Sequence, residues 1–297
     1  MALFRTLAPG QVTRIHVYDT AAGSDVVVYE SREVLFEAPN WSLQTDTLFV
    51  NGDGVLWALD AVEGAVPERI DHDALPSINN DHVLDPDGVH VYLSAMDGHI
   101  YRAGLAGGPV ERVTGDDGVW HYLHGVSPDG QRLAYVRMAS FDQPGALAVA
   151  GSRAQPDGAD VYSILDTGPG HIDGPEWSPD GSWIYFNTER WADAPGHAQI
   201  ARLPDGGGEV QRLVTSHTVD WFPHLSPDGR TAVYLEFPPG TEGHPADLDV
   251  ALVVVDVDDW TTPRARIRLP GGQGTINVNS WASDSRRFAY VSYPTQP

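Results

Sequence analysis

The chain contains no cysteine and no lysine. The first absence excludes disulfides, thiolate metal centres and cysteine nucleophiles. The second leaves arginine as the only strong cation, and the balance of 18 basic to 41 acidic residues gives a formal net charge of -23. Such a chain repels phosphate, which argues against nucleic acid as a partner and against docking on an anionic membrane. It also lacks any run of about 18 apolar residues that could span a bilayer. The opening Met1-Ala2-Leu3-Phe4-Arg5-Thr6 has no basic segment followed by an apolar stretch. On that ground no signal peptide is expected, and the protein is placed in the cytoplasm, or in the periplasm or outside the cell if a leader has been removed.

What the chain does have is a repeat. Trp177-Ser178-Pro179-Asp180-Gly181 is its full form, and close copies stand at Asp85-Pro86-Asp87-Gly88, Ser127-Pro128-Asp129-Gly130 and Ser226-Pro227-Asp228-Gly229. Degenerate copies begin at Trp41-Ser42 and Trp281-Ala282. The serine-equivalent positions 42, 85, 127, 178, 226 and 282 are spaced by 43, 42, 51, 48 and 56 residues, close to the length of a four-stranded propeller blade. Proline presets φ, aspartate bonds nearby backbone and glycine accepts positive φ, so each copy specifies a tight turn between strands.

An alternating segment follows the turns, as in Gln131–Val136, Ser182–Phe186, Arg230–Leu235 and Arg286–Val291, and reads as a strand. Further apolar runs, such as Ala198–Leu203 and Gln211–Thr215, complete four strands per repeat. The last motif has one full strand after it, whereas two strand-like runs, Thr13–Tyr18 and Asp25–Tyr29, precede the first. The predicted fold is therefore an all-β, six-bladed propeller of four-stranded blades. Its N-terminal strands complete the last blade, and one domain covers residues 1–297.

The repeated Trp-Ser-Pro-Asp-Gly motif resembles that of TolB-like propellers, over essentially the whole chain. Thr241–Val250, with Gly243-His244-Pro245, is similar to a loop of the stand-alone members. The resemblance implies a six-bladed propeller and leaves function open, because such a fold hosts many functions. Related propellers include oligogalacturonate lyases, which use a His-bound metal.

Candidate chemistry lies just before each motif, where the chain enters the innermost strand at one mouth of the channel. These stretches are polar: Asn80 and His82 in blade two, His121 and His124 in blade three, His171, Asp173 and Glu176 in blade four, Asp220 and His224 in blade five, with His244 on a nearby loop. Arg137 and Arg190 follow second strands and could reach the mouth to clamp a carboxylate. Trp120, Tyr122 and Trp221 offer stacking surfaces.

Histidine and carboxylate suit a divalent metal such as Zn, Mn, Fe or Ca, with His82, His124, His171 and His224 as candidate ligands. Three readings stay open: a binding site for a small carbohydrate-like or peptide-like ligand, a metal-dependent lyase or hydrolase acting on a sugar or uronate, and a protein-interaction scaffold. The expected partner is a small molecule or a protein, and the expected state a monomer. Gly168–Gly174 imitates a nucleotide loop but leads into a strand, so no helix N-terminus faces a phosphate. No Gly-x-Ser-x-Gly elbow is present.

Overall fold

The computed structural model describes residues 4–154 and 161–296, and within them the regular structure is all strand. Six antiparallel sheets stand around a central channel, one per motif. Blade one pairs Phe36–Trp41, Thr47–Gly52, Val55–Asp60 and Glu68–Ile70 in sequence order from the channel outward. Blades three, four and five repeat this order with inner strands Trp120–Val126, Ile172–Trp177 and Val219–Leu225. Blade two adds a fifth, two-residue strand, His72–Asp73, parallel to its outermost strand.

Blade six closes the ring. Thr13–Asp19 pairs antiparallel with Arg287–Ser292, and Ser24–Ser31 pairs outside it. Joining the chain's two ends in one sheet removes the free edges an open ring would leave. A polar clasp reinforces the closure. His16 Nδ1 donates to Asp25 at 2.6 Å, and its Nε2 accepts from the Ser292 hydroxyl at 2.8 Å. The His16 ring stacks on Tyr290 at 4.5 Å.

The inner position of blade six differs from the expected strand: a single Trp281–Phe288 bridge joins it to Arg287–Ser292, helped by the Val291 N–H donating to the Thr275 carbonyl and Ser280 Oγ to the Ala289 carbonyl. Its asparagines explain this. Asn277 Oδ1 accepts from the Gly274 N–H and Asn279 Oδ1 from the Trp281 N–H, local bonds that compete with a ladder.

The motif turns behave alike. Ser127, Ser178 and Ser226 each donate through Oγ to the aspartate two residues on, at 2.6, 2.6 and 2.7 Å. In each, the glycine N–H bonds back to the serine carbonyl at 2.7–2.8 Å. Gly130, Gly181 and Gly229 take φ of 70°, 73° and 68°, where a side chain would be strained. The core lies between blades: Trp221, Phe237, Val254, Trp281 and Phe288 fill one such interface, Trp177, Ile184 and Phe186 another.

Candidate functional site

The inner strands are irregular at one end. In blades one, four and five the register slips within Glu37–Asn40, Asp173–Glu176 and Trp221–His224. Each slip contains a residue at positive φ followed by proline: Ala38 at 51°, Gly174 at 59° and Phe222 at 54°. Proline offers no N–H to a ladder, so the strand bulges there and re-aims the side chains on either side. Blades two and three bulge at the same level, before His82 and around His124. Left-handed backbone at a non-glycine residue costs about 1–3 kcal/mol and collects where a structure needs a particular placement.

The bulges of blades two to five border a recess of about 750 Å³ at the channel mouth. Trp120, Tyr122, Phe141, Trp221 and Phe222 give it aromatic walls. Trp120 and Tyr122 stack nearly parallel at 6.1 Å, with Phe141 against Trp120 at 5.9 Å. Asp81, His124, Asp173, His171 and His244 form its floor and one side.

His124 is the pivot. Its Nε2 donates to Asp173 at 2.8 Å, its Nδ1 faces the Asn277 carbonyl at 3.3 Å, and Asp81 lies 3.9 Å away. Burial opposes its charge, but Asp81 and Asp173 outweigh burial and hold it protonated, with a pKa up to about 9. Burial would raise Asp173, yet His124 and the neighbouring histidines keep it well below the usual carboxylate range. Burial wins at Asp81, which is pushed up to about 6. The floor is thus a buried ion pair with a second carboxylate poised near neutrality.

His171 Nδ1 accepts the Gly145 N–H at 2.9 Å. That nitrogen must be unprotonated, so His171 is the neutral Nε2–H form, although Asp173 pulls its pKa upward against the effect of burial. The bond also anchors the loop carrying Phe141, Asp142 and Gln143 over the recess. Gly145 permits it, because a Cβ there would come within 2.3 Å of Val136. His244 packs on Trp221 at 4.5 Å, with Nε2 3.6 Å from Asp173, and burial lowers its pKa.

Of the residues expected at the mouth, the structure brings together Asn80, His124, His171, Asp173 and His244. It places the others elsewhere. His82 is fully buried between blades one and two, facing the Phe49 carbonyl at 3.3 Å, and burial lowers its pKa to about 4. His121 bonds the Gly98 carbonyl at 2.7 Å, against blade two. Asp220 accepts from Gln199, Ser216 and Thr218 in a buried network and is raised by burial to about 7.

His224 and Glu176 form a strut joining blades four, five and six. His224 donates to Glu176 at 2.6 Å and to the Ile276 carbonyl at 2.7 Å. Glu176 also accepts from Asn279 at 2.6 Å and from the Leu225 N–H. Arg137 is held by Asp117 at 2.8 Å and Arg190 by the Thr167 carbonyl at 3.0 Å, and neither lines the recess. Asp81 and Glu189 line the recess but were not among the expected residues. The available signal for Asp81 was its motif register, four residues before Asp85, which matches Gly174 and Phe222.

The donor set does not fit a ready-made metal centre at the mouth. Both His224 nitrogens are spent on the strut, and His82 is turned into the blade interface. His124 meets Asp173 through a proton and not through a shared lone pair. Among the described residues, the acid/histidine group whose ligand atoms converge is Asp85, Asp87 and His90 at a motif turn on the far face. There Arg102 already donates to both carboxylates, at 3.1 and 2.7 Å.

Fold and site together define the class: a closed six-bladed propeller with a polar, aromatic-walled recess at one channel mouth. An uncharacterized protein of Agrobacterium fabrum is 35% identical over 285 residues, covering 94% of this chain and 92% of that protein. A solved TolB candidate from Agrobacterium tumefaciens superposes with a TM-score of 0.84 at 34% identity, covering 96% of this chain and 99% of that one. The chain belongs to the TolB-like propeller family. TolB from Acinetobacter baumannii shares the fold, with a TM-score of 0.61 at 19% identity over 89% of this chain and 64% of that one. No protein-family model matches. No helix among the described residues is long and apolar enough to cross a membrane.

Proposed function

We propose that the protein is a ligand-binding propeller whose mouth recess takes a small carbohydrate-like or peptide-like molecule. One observation carries the reading: a recess of about 750 Å³ combines stacked aromatic walls with a floor of hydrogen-bonding groups. Size, apolar walls and a few convergent polar groups are what small-ligand sites require. Ring faces such as Trp120 cover the apolar face of a sugar or a peptide side chain. Asn80, Asp173 and His244 can meet hydroxyl or amide groups. Trp221, whose ring lines the recess, has a buried Nε1 with no hydrogen-bond partner among the described residues.

The test is a thermal-shift screen against mono- and disaccharides and di- and tripeptides. A true ligand at about 100 times its Kd stabilises the protein by about 2.7 kcal/mol. The shift should vanish in Trp120→Ala, whose side chain is half-buried and stacks on Tyr122. A ligand whose shift survives that substitution binds elsewhere and contradicts the reading.

A further inference from the structure

The recess has a one-sided charge. Asp81, Asp142, Asp173 and Glu189 line it, and no arginine does. Lysine is absent from the whole chain. The arginines nearest in sequence, Arg137 and Arg190, are turned away to Asp117 and to the Thr167 carbonyl.

The histidines do not neutralise this set. His124 is matched by Asp173 at 2.8 Å. His171 is kept neutral by the Gly145 N–H, and His244 sits against the Trp221 and Phe222 rings. Asp142 receives the Ser140 hydroxyl, but neither Asp142 nor Glu189 has an arginine or histidine ion-pair partner among the described residues. On the same recess stand Trp120, Tyr122 and Phe141, whose faces attract cations.

Unpaired carboxylates beside stacked aromatic rings, with no competing cation, are the chemistry that recognises a positively charged organic group. From this juxtaposition we infer that the ligand of the mouth recess carries a protonated amine: an amino sugar or the free amino end of a short peptide. The inference rests on the reading of the recess as a ligand site and narrows it. It runs against a uronate, which would bring a carboxylate to a wall of carboxylates.

Two charge-graded sets of matched probes test it by calorimetry on the full chain. The first is glucosamine, glucose and glucuronate. The second is Gly-Leu amide, its N-acetylated form, and N-acetyl-Gly-Leu with a free carboxylate. In at least one set the cationic member should bind about tenfold tighter than the neutral one, and the anionic member weakest. Raising salt from 0.05 to 0.5 M should erase most of that difference.

Glu189→Gln and Asp142→Asn keep shape and remove charge. Each should weaken the cationic probe about fivefold while leaving the neutral probe unchanged. Equal or tighter binding of a neutral or anionic member, lost in Trp120→Ala, would leave the recess a ligand site and overturn its preference for cations. Silence from all six probes would remove the ligand-site reading itself, and the inference with it.

Discussion

The two ends of the channel are built from the same six repeats, yet they differ in kind. At the turn end, serine, aspartate and glycine close identical loops, with oxygen–oxygen distances of 2.6–2.7 Å and glycine φ of 68–73° in three blades. At the mouth no two blades present the same side chains, and three carry a bulge with left-handed backbone before a proline. Regularity marks what the ring needs in order to close. Irregularity marks what closure does not explain, and it coincides with the recess, the ion pair and the orphaned Trp221 Nε1. His124 divides the two, since it lines both the mouth recess and the smaller cavity of about 360 Å³ at the turn end.

The sharpest way to break this comparison is at the strut between the ends. Glu176→Gln removes the charge that His224, Asn279 and the Leu225 N–H all address. Leaving one partner of a buried pair uncompensated should cost about 3 kcal/mol, read from the denaturation midpoint. Mouth ligands should bind the folded variant as before. A stable variant that no longer binds them would make Glu176 part of the site.

Next in size is a pH effect at the floor. The folded pKa of His124, about 9, lies above its ordinary 6.5. The folded state therefore holds this proton more tightly, and its stabilisation is complete below about 6.5 and lost as pH rises through about 9. Asp81, raised from 3.8 to about 6, and Asp220, raised to about 7, act with the same sign but are mostly spent by pH 7.5, leaving only a few tenths of a kcal/mol above it. Between pH 7.5 and 9.5 the wild type should lose on the order of 1–2 kcal/mol, an effect missing from His124→Asn. An unchanged slope in that variant would mean that another group carries the proton.

The smallest effect belongs to the turn end. Ser178→Ala deletes bonds to Asp180 and to the Trp183 N–H in one of six turns, and should cost about 1 kcal/mol by chemical denaturation, with no change at the mouth. A loss of mouth binding would show that the two ends are coupled.

The same contrast explains what could be read in advance. Repeat spacing gave blade number, and the strand count at the termini gave ring closure through Thr13–Asp19 and Arg287–Ser292, because turn residues and alternating strands are local signals that recur along the chain. The site was legible only in part. The inner strands slip by one residue at Pro39, Pro175 and Pro223, by two between Ile78 and His82 in blade two, and by one between Leu123 and Gly125 in blade three, so equal motif offsets do not mean equal direction. His82 and His124 share an offset, yet one is sealed between blades and the other stands in the channel. Arg137 and Arg190 were unreadable for another reason: their partners, Asp117 and the Thr167 carbonyl, lie 20 and 23 residues away and compete with any ligand.

The central claim is that ligand binding sits at the mouth, while the motif turns only shape the blades. Amide hydrogen exchange with and without a ligand from the charge-graded sets tests it most directly. The account predicts added protection in residues 79–82, 120–124, 141–145, 171–174 and 243–244, which carry or flank the recess, with none at the motif turns 86–88, 128–130, 179–181 and 227–229. Protection concentrated at those turns, with the mouth unchanged, would contradict it.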